Sequence, residues 1–157
     1  MTTRRTKTVV PYSPAQMYDL VADIEKYPVF LPWCLGLRVV ERDLENGEGI
    51  LLADMIVAYK VFRERFRSKV FLDPRAHTID AHYTHGPFER LQTRWHFSEI
   101  EGGGTQIDFF IDFAFRNAVL QTTARMVFEK AFARMTEAFI ARADDLYRVE
   151  QTAVTQD

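Results

Sequence analysis

The sequence contains a single cysteine, Cys34, so no disulfide bond can form within the chain. Scarce cysteine is typical of proteins in reducing compartments. The chain also lacks a basic excess, since 20 Lys and Arg face 22 Asp and Glu and the formal net charge is −2. A general nucleic-acid-binding protein usually carries such an excess, so the composition argues against that class.

Long apolar segments are missing too. The longest uncharged apolar run, residues 28–37, is too short to span a bilayer and includes two prolines. Residues 1–7 have no apolar segment of the kind that a secretory signal requires. We therefore expect a cytoplasmic protein whose membrane contact, if any, is peripheral.

Sequence motifs of nucleotide binding and covalent catalysis are absent: the sequence has no P-loop, Rossmann glycine pattern or nucleophile elbow. His77, His82 and His85 are close in sequence, but no cysteine or carboxylate completes a metal-ligand spacing. We predict no metal site, no required cofactor and no catalytic residues. Acid–base chemistry of the cyclase type, using Tyr, Asp or His groups, is the less favoured alternative.

Aromatic residues, in contrast, are plentiful. Hydrophobic residues form 47% of the 157 residues, and they include 13 Phe, 6 Tyr and 2 Trp. This composition predicts one domain, residues 1–157, with a packed core over about 5–148 and a polar, frayed tail at 149–157. The rings indicate equally a cavity lined by aromatics and an aromatic core without one.

The order of elements follows from periodicity and turn signals. Residues 5–10 form a short strand, and a helix starts at Ser13 and Pro14 with a capping box completed by Gln16. Pro28 is expected to end that helix. Period-two patterns then fill residues 35–116, interrupted by turns at 46–47, 73–75, 85–87 and 102–104 and by a reversal or bulge near 58–60.

A long helix follows, capped by Asn117 and spanning about 118–148. Its apolar stripe consists of Leu120, Ala124, Val127, Phe128, Ala131, Met135, Phe139 and Leu146. Only this helix is long enough to cover the apolar sheet face. The predicted fold class is therefore α+β, a curved antiparallel sheet of about seven strands around a long C-terminal helix, with space for a ligand between them.

Two segments carry a family resemblance. Residues 21–34, VADIEKYPVFLPWC, resemble the signature of the coenzyme Q-binding START-domain family, within the polyketide cyclase-like branch of that superfamily. Residues 86–91, GPFERL, and 95–97, WHF, are similar to a second segment of the same family, and the resemblance extends over roughly 4–148. It implies a helix-grip (START-like) fold with a hydrophobic tunnel.

The resemblance implies two roles between which the sequence does not choose. Mitochondrial relatives bind ubiquinone and support respiration, whereas bacterial relatives are named ribosome association toxins and are thought to act on the large ribosomal subunit. We expect a non-enzymatic carrier or chaperone for a polyisoprenoid quinone, with ubiquinone as the bound ligand, and hold a ribosome regulator as the alternative. No transit peptide is visible, so a bacterial cytoplasm is expected, with peripheral contact at the inner membrane.

The candidate ligand-binding residues are the inward-facing rings, their apolar neighbours and the proline-braced segment before the second strand. They are Tyr27, Phe30, Trp33, Phe66, Val70, Tyr83, Phe88, Leu91, Trp95, Phe97, Phe109, Ile111, Phe113, Val127, Phe128, Ala131 and Met135, with Phe115 in the same inward row. Each of them can instead be ordinary core. Trp33 and Phe128 are both expected to border the cavity, with Trp33 near its entrance.

One strand carries charge on both faces. Glu64 lies between Phe62 and Phe66 on the apolar face, where it is a candidate contact for a polar head group, with Arg134 as its expected partner. The other face carries a basic ladder, defined as Arg63, Arg65, Arg67 and Lys69. The ladder is a candidate contact for phosphate on lipid or ribosomal RNA, although a solvated face balanced by neighbouring acids is the favoured interpretation.

Overall fold

The computed structural model describes residues 2–59 and 62–148, apart from the side chains of residues 2, 59, 62 and 124–129. The order is the predicted one of strand, helix, six strands and long helix, with a 3-10 turn and the short helix α2 added before the second strand. The elements are β1 (Thr2–Val10), α1 (Pro14–Ala22), a 3-10 turn (Ile24–Lys26), α2 (Tyr27–Phe30), β2 (Cys34–Glu45), β3 (Glu48–Tyr59), β4 (Phe62–Asp73), β5 (Thr78–His85), β6 (Phe88–Glu99), β7 (Thr105–Phe115), α3 (Ala118–Ala143) and a π-helical turn (Asp144–Arg148).

The seven strands form one antiparallel sheet in the order β1-β7-β6-β5-β4-β3-β2. Its concave face is apolar and faces α3, so the predicted α+β class and arrangement are confirmed. Strand β2 lies at one edge and has register shifts between Cys34 and Gly36 and between Val39 and Glu41. Such bulges bend an edge strand and increase its twist.

Helix α1 begins as predicted. The Ser13 hydroxyl accepts from the Gln16 backbone N–H at 3.1 Å, and the Gln16 side chain accepts from the Ser13 N–H at 3.0 Å. The helix nevertheless ends at Ala22, and Pro28 lies in the first turn of α2 instead of terminating α1. A proline is tolerated there because first-turn N–H groups have no partner within the helix.

The change of phase predicted near residues 58–60 is a strand reversal. Strand β3 ends at Tyr59, β4 begins at Phe62, and these two residues are paired across the two strands. Odd-numbered residues of β3 and even-numbered residues of β4 therefore share the concave face. A continuous strand with a bulge is excluded.

Helix α3 matches the predicted span, with the Asn117 side chain accepting from the Val119 N–H at 2.8 Å. Within the predicted stripe Phe139 is buried, whereas Leu146 is exposed in the π-helical turn. Leu146 thus does not belong to the sheet-facing stripe, because the change of helical pitch after Ala143 turns it outward. The side chains of the stripe residues Ala124, Val127 and Phe128 lie outside the described part of the structure.

No helix among the described residues is long and apolar enough to cross a membrane.

Candidate ligand-binding cavity

A cavity of about 320 Å³ lies between the concave face of the sheet, the α2 segment and α3. This volume is at the lower end of the range for small-molecule sites in proteins. The residues around it are Ile24, Tyr27, Leu31, Trp33, Leu37, Ala53, Met55, Val57, Glu64, Phe66, Ser68, Val70, Ile79, Ala81, Phe88, Leu91, Thr93, Trp95, Phe109, Ile111, Phe113, Phe115, Ala131, Phe132, Met135 and Phe139. Nearly all of them are apolar.

Rings from several elements form one wall. The Trp95 ring lies with its centroid 4.4 Å from that of Phe109 on the neighbouring strand β7 and 5.1 Å from that of Phe139 on α3. Farther along the sheet, the Phe88 ring stacks on Phe115 at 4.6 Å. These contacts bring strands and helix together at fixed spacing, because ring edges and faces pack in preferred offset or edge-to-face geometries.

The space itself comes from small side chains in the middle of the wall. Ala53 and Ser68 are paired across β3 and β4, Ala81 and Thr93 across β5 and β6, and Ala131 faces them from α3. Larger residues at these five positions would fill the space that the surrounding rings enclose. Sequence reasoning predicted Ala131 but missed the four strand residues because it sought apolar bulk, although small residues at inward positions of strands were a visible signal.

Most predicted ligand-binding residues border the cavity. They are Tyr27, Trp33, Phe66, Val70, Phe88, Leu91, Trp95, Phe109, Ile111, Phe113, Ala131 and Met135, together with Phe115 and Glu64. Sequence reasoning did not find the lining residues Ile24, Leu31, Leu37, Ala53, Met55, Val57, Ser68, Ile79, Ala81, Thr93, Phe132 and Phe139. Phe139 belongs to the predicted apolar stripe of the last helix but not to the predicted site.

Three predicted residues do not border the cavity. Phe97 is 1% exposed and packs edge-on against Tyr18 of α1, which covers that end of the sheet. Phe30 lies behind the lining, with its ring 5.2 Å from that of Phe139. The Tyr83 hydroxyl donates to the Gly86 carbonyl in the β5–β6 turn, and its ring packs edge-on against that of Phe88 at 5.4 Å.

Two further predicted residues, Val127 and Phe128, have side chains outside the described part of the structure, so their place at the cavity stays a prediction. Trp33 does border the cavity. Its position at the entrance also stays a prediction.

Few polar groups reach the cavity. The Tyr27 hydroxyl donates to the Val21 carbonyl, and burial raises the pKa of this hydroxyl far above its ordinary value. The indole N–H of Trp33 is buried and has no hydrogen-bond partner among the described residues. Glu64 is half-buried on the inner face of β4, and no ion pair joins it to the exposed Arg134, so the expected pairing is wrong.

The basic ladder lies on the opposite, convex face of the sheet. Arg67 forms a bidentate pair with Asp54, through hydrogen bonds of 2.6 and 3.0 Å. The pair lowers the pKa of the Asp54 carboxyl. Arg63, Arg65 and Lys69 are exposed. The ladder is therefore neutralised at one of its four positions, and its end nearest the β3–β4 connection keeps its charge.

The comparisons with known proteins agree with this architecture. Residues 10–140 match the family described as polyketide cyclase/dehydrase and lipid transport. The chain belongs to this family. Its helix-grip fold and apolar cavity are those of a START-like protein that binds a hydrophobic ligand.

Two relatives within this family carry the two names that the resemblance implied. Ribosome association toxin RatA of Escherichia coli is 34% identical over 139 residues, which are 88% of this chain and 85% of that protein. Coenzyme Q-binding protein coq10 of Schizosaccharomyces pombe is 29% identical over 147 residues, 93% of this chain and 89% of that protein.

Two solved structures show the same fold. The 18 kDa protein CC1736 of Caulobacter crescentus is 33% identical, with a TM-score of 0.79 over 94% of this chain and 99% of that one. A START superfamily protein of Mycobacterium smegmatis is 17% identical, with a TM-score of 0.78 over 92% of this chain and 98% of that one. The second likeness concerns the fold alone.

Proposed function

We propose that the protein binds a polyisoprenoid quinone, with ubiquinone as the expected ligand, and carries it without chemical change. The observation that supports this most is the cavity of about 320 Å³, lined by aromatic rings and aliphatic side chains with few polar groups. Such a lining suits an isoprenoid tail, because each buried CH₂ group contributes roughly 0.8 kcal/mol and requires no polar partner. The relative named coenzyme Q-binding protein points the same way.

The polar groups of the described cavity lining are consistent with a protein that binds its ligand without catalysing a reaction. The Tyr27 hydroxyl already donates to a backbone carbonyl, and its raised pKa keeps it protonated. Glu64 has no neighbouring acid or base in hydrogen-bond contact among the described residues. Paired acid and base groups, which cyclase-type chemistry needs, are thus not assembled in the described lining.

The test is to extract the purified protein with organic solvent and to identify the extracted lipids by mass spectrometry. We expect ubiquinone to co-purify, and a short-tailed analogue such as decylubiquinone to bind the emptied protein at micromolar concentration. A protein that yields no quinone and binds none at that concentration contradicts the proposal.

A quinone carrier must also reach the membrane in which quinones dissolve. Val29 on α2 and Leu35 at the start of β2 are 66% and 50% exposed, and they flank the lining residues Leu31 and Trp33. We propose that these two side chains insert into the membrane surface beside the cavity. Val29→Asp should abolish flotation with vesicles of anionic phospholipid, whereas the control Val119→Asp, at another exposed valine, should not.

A second function, binding to the large ribosomal subunit, is favoured by one separate observation. Arg63 and Arg65 project from the convex face with no acidic partner among the described residues, and Arg38 lies two strands away on the same face. Such a basic patch can contact RNA phosphate. The relative named ribosome association toxin refers to the ribosome in its name.

Sedimentation with purified large subunits tests this function. We expect co-sedimentation at low salt that weakens steeply at higher salt, because phosphate contacts release counterions. Replacing Arg63 and Arg65 by Glu should remove it, while Arg75→Glu, in the exposed β4–β5 turn, should not. Absence of co-sedimentation at low salt contradicts ribosome binding and leaves the quinone proposal intact.

A further inference from the structure

Five polar side chains border the cavity. Its polar lining side chains are Tyr27, Trp33, Glu64, Ser68 and Thr93, and the Tyr27 hydroxyl is already used by the Val21 carbonyl. The two strongest of the remaining groups, an indole N–H and a carboxylate, both lie toward the end of the cavity where β3 meets β4. The described residues give neither group a hydrogen-bond partner.

Strand register places these two groups near each other. Cys34, Val57 and Glu64 form one row across β2, β3 and β4. Trp33 precedes that row, and its carbonyl accepts from the Ala58 N–H at 2.8 Å. Trp33 and Glu64 therefore border the same end of the cavity, with the lining residue Val57 between them.

The indole N–H of Trp33 lacks a hydrogen-bond acceptor among the described residues. Its N–H is buried and without a partner in the described part of the chain. Buried donors in folded proteins are almost always paired, and an unpaired one is costly. Because the ring borders the cavity, an oxygen atom of a bound ligand can supply the missing partner.

The carboxylate of Glu64 lacks a hydrogen-bond donor among the described residues. It sits on the concave face beside Val57 and Phe66, and the described residues offer it neither an ion pair nor a hydrogen bond. A carboxylate only accepts hydrogen bonds. A ligand oxygen without a proton would therefore face it unfavourably, whereas a hydroxyl would form a charge-assisted hydrogen bond.

We propose that this end of the cavity selects a hydroquinone head group over the oxidised quinone. This inference rests on the proposed function. A quinol hydroxyl donates to Glu64 while a second ring oxygen accepts from Trp33. A quinone offers only acceptors, so it satisfies Trp33 but leaves Glu64 opposite a carbonyl oxygen. The protein would then carry the reduced ligand preferentially.

The test compares decylubiquinol, kept reduced under anaerobic conditions, with decylubiquinone as ligands of the full chain. We expect the wild-type protein to bind the quinol about tenfold or more tightly, the difference typical of one hydrogen bond to a charged group. Glu64→Gln should bring the ratio of the two dissociation constants close to one, because an amide both donates and accepts. Trp33→Phe should weaken both ligands by a similar factor and keep the ratio.

Glu89→Gln, at an exposed carboxylate on β6, is the matched control and should leave both affinities unchanged. Thermal melts of each variant confirm that it is folded. Equal wild-type affinities for the two forms, or a preference that survives Glu64→Gln, would overturn the inference and leave quinone binding standing. Failure of both forms to bind the wild-type protein would overturn the proposed function together with it.

Discussion

The thiol of Cys34 illustrates how burial decides the chemistry of one residue. Cys34 is 3% exposed at the start of β2, and its thiol lies 3.7 Å from the Gly36 carbonyl. Burial raises the pKa of the thiol to about 11. Since the thiolate is the reactive form, we expect this cysteine to react slowly in the folded protein.

We predict that Cys34 resists modification by a disulfide reagent such as DTNB at pH 8 and reacts fully once the protein is unfolded in guanidinium chloride. The absorbance of the thionitrobenzoate that is released measures the extent of both reactions. Rapid labelling of the native protein, at a rate near that of a free thiol, would contradict the burial seen at the start of β2.

The ion pair of Asp54 and Arg67 lies on the convex face and is partly exposed to water. Its side chains are 26% and 37% exposed, so screening limits its contribution to stability. The hydrogen bond from Arg67 lowers the pKa of the Asp54 carboxyl below its ordinary value of 3.8. A lowered pKa stabilises the fold above that ordinary value, and the stabilisation is lost as the pH falls through the folded-state pKa.

We therefore expect Asp54→Asn to lower the free energy of unfolding by less than about 1 kcal/mol at pH 7. The difference from the wild-type protein should shrink as the pH falls below about 4. Urea unfolding at pH 7 and pH 3 measures it, with Asp43→Asn, at an exposed carboxylate of β2, as the control. A difference in the free energy of unfolding that grows as the pH falls would contradict the lowered pKa of Asp54.

At the scale of elements, the turn between β5 and β6 depends on the close approach of its backbone at Gly86 to strand β4. Gly86 has φ of +145°, and a Cβ atom there would lie 2.8 Å from the Cβ of Phe66 on β4. The neighbouring Phe88 packs edge-on against Phe66 at 5.4 Å. This glycine thus lets the turn fold over a strand that borders the cavity, which explains why a Gly-Pro-Phe segment is placed there.

We predict that Gly86→Ala lowers the free energy of unfolding by about 1–3 kcal/mol more than Gly102→Ala does. The control glycine also has a positive φ, +91°, but open space where its Cβ would be, so the comparison isolates the clash from the backbone conformation. Chemical denaturation of both variants gives the difference. Equal losses would mean that Phe66 moves aside without cost.

At the scale of the whole molecule, the cavity lowers the stability of the fold but provides the space for a ligand. Filling an apolar space with a side chain usually stabilises a protein by about 0.5–2 kcal/mol, because the added atoms are removed from water and gain contacts. The same atoms exclude the ligand. Ser68, in the middle of the cavity wall, offers a direct test, because Ser98 is also half-buried on a strand but faces outward.

We predict that Ser68→Leu raises the melting temperature and abolishes binding of decylubiquinone, whereas Ser98→Leu leaves binding unchanged. Thermal denaturation and ligand titration of the two variants measure both effects. If Ser68→Leu binds normally, the space between the sheet and α3 is not where the ligand lies.

Much of this architecture could be predicted from the sequence because it depends on local rules. The capping box at Ser13, the cap at Asn117 and the two-residue alternation of β7 require only neighbouring residues. Alternation also identifies which residues face inward, and most of the predicted lining residues border the cavity. The reversal between β3 and β4 was visible as a change of phase.

Only the tertiary structure decided whether an inward-facing residue borders the cavity or packs against another element. Trp95 and Phe97 share one face of β6, yet Trp95 borders the cavity and Phe97 is sealed beneath Tyr18. The difference arises because α1 covers one end of the sheet and α3 leaves space over its middle. Alternation is a property of one strand, whereas open volume depends on the packing of elements far apart in sequence, so no local pattern contains it.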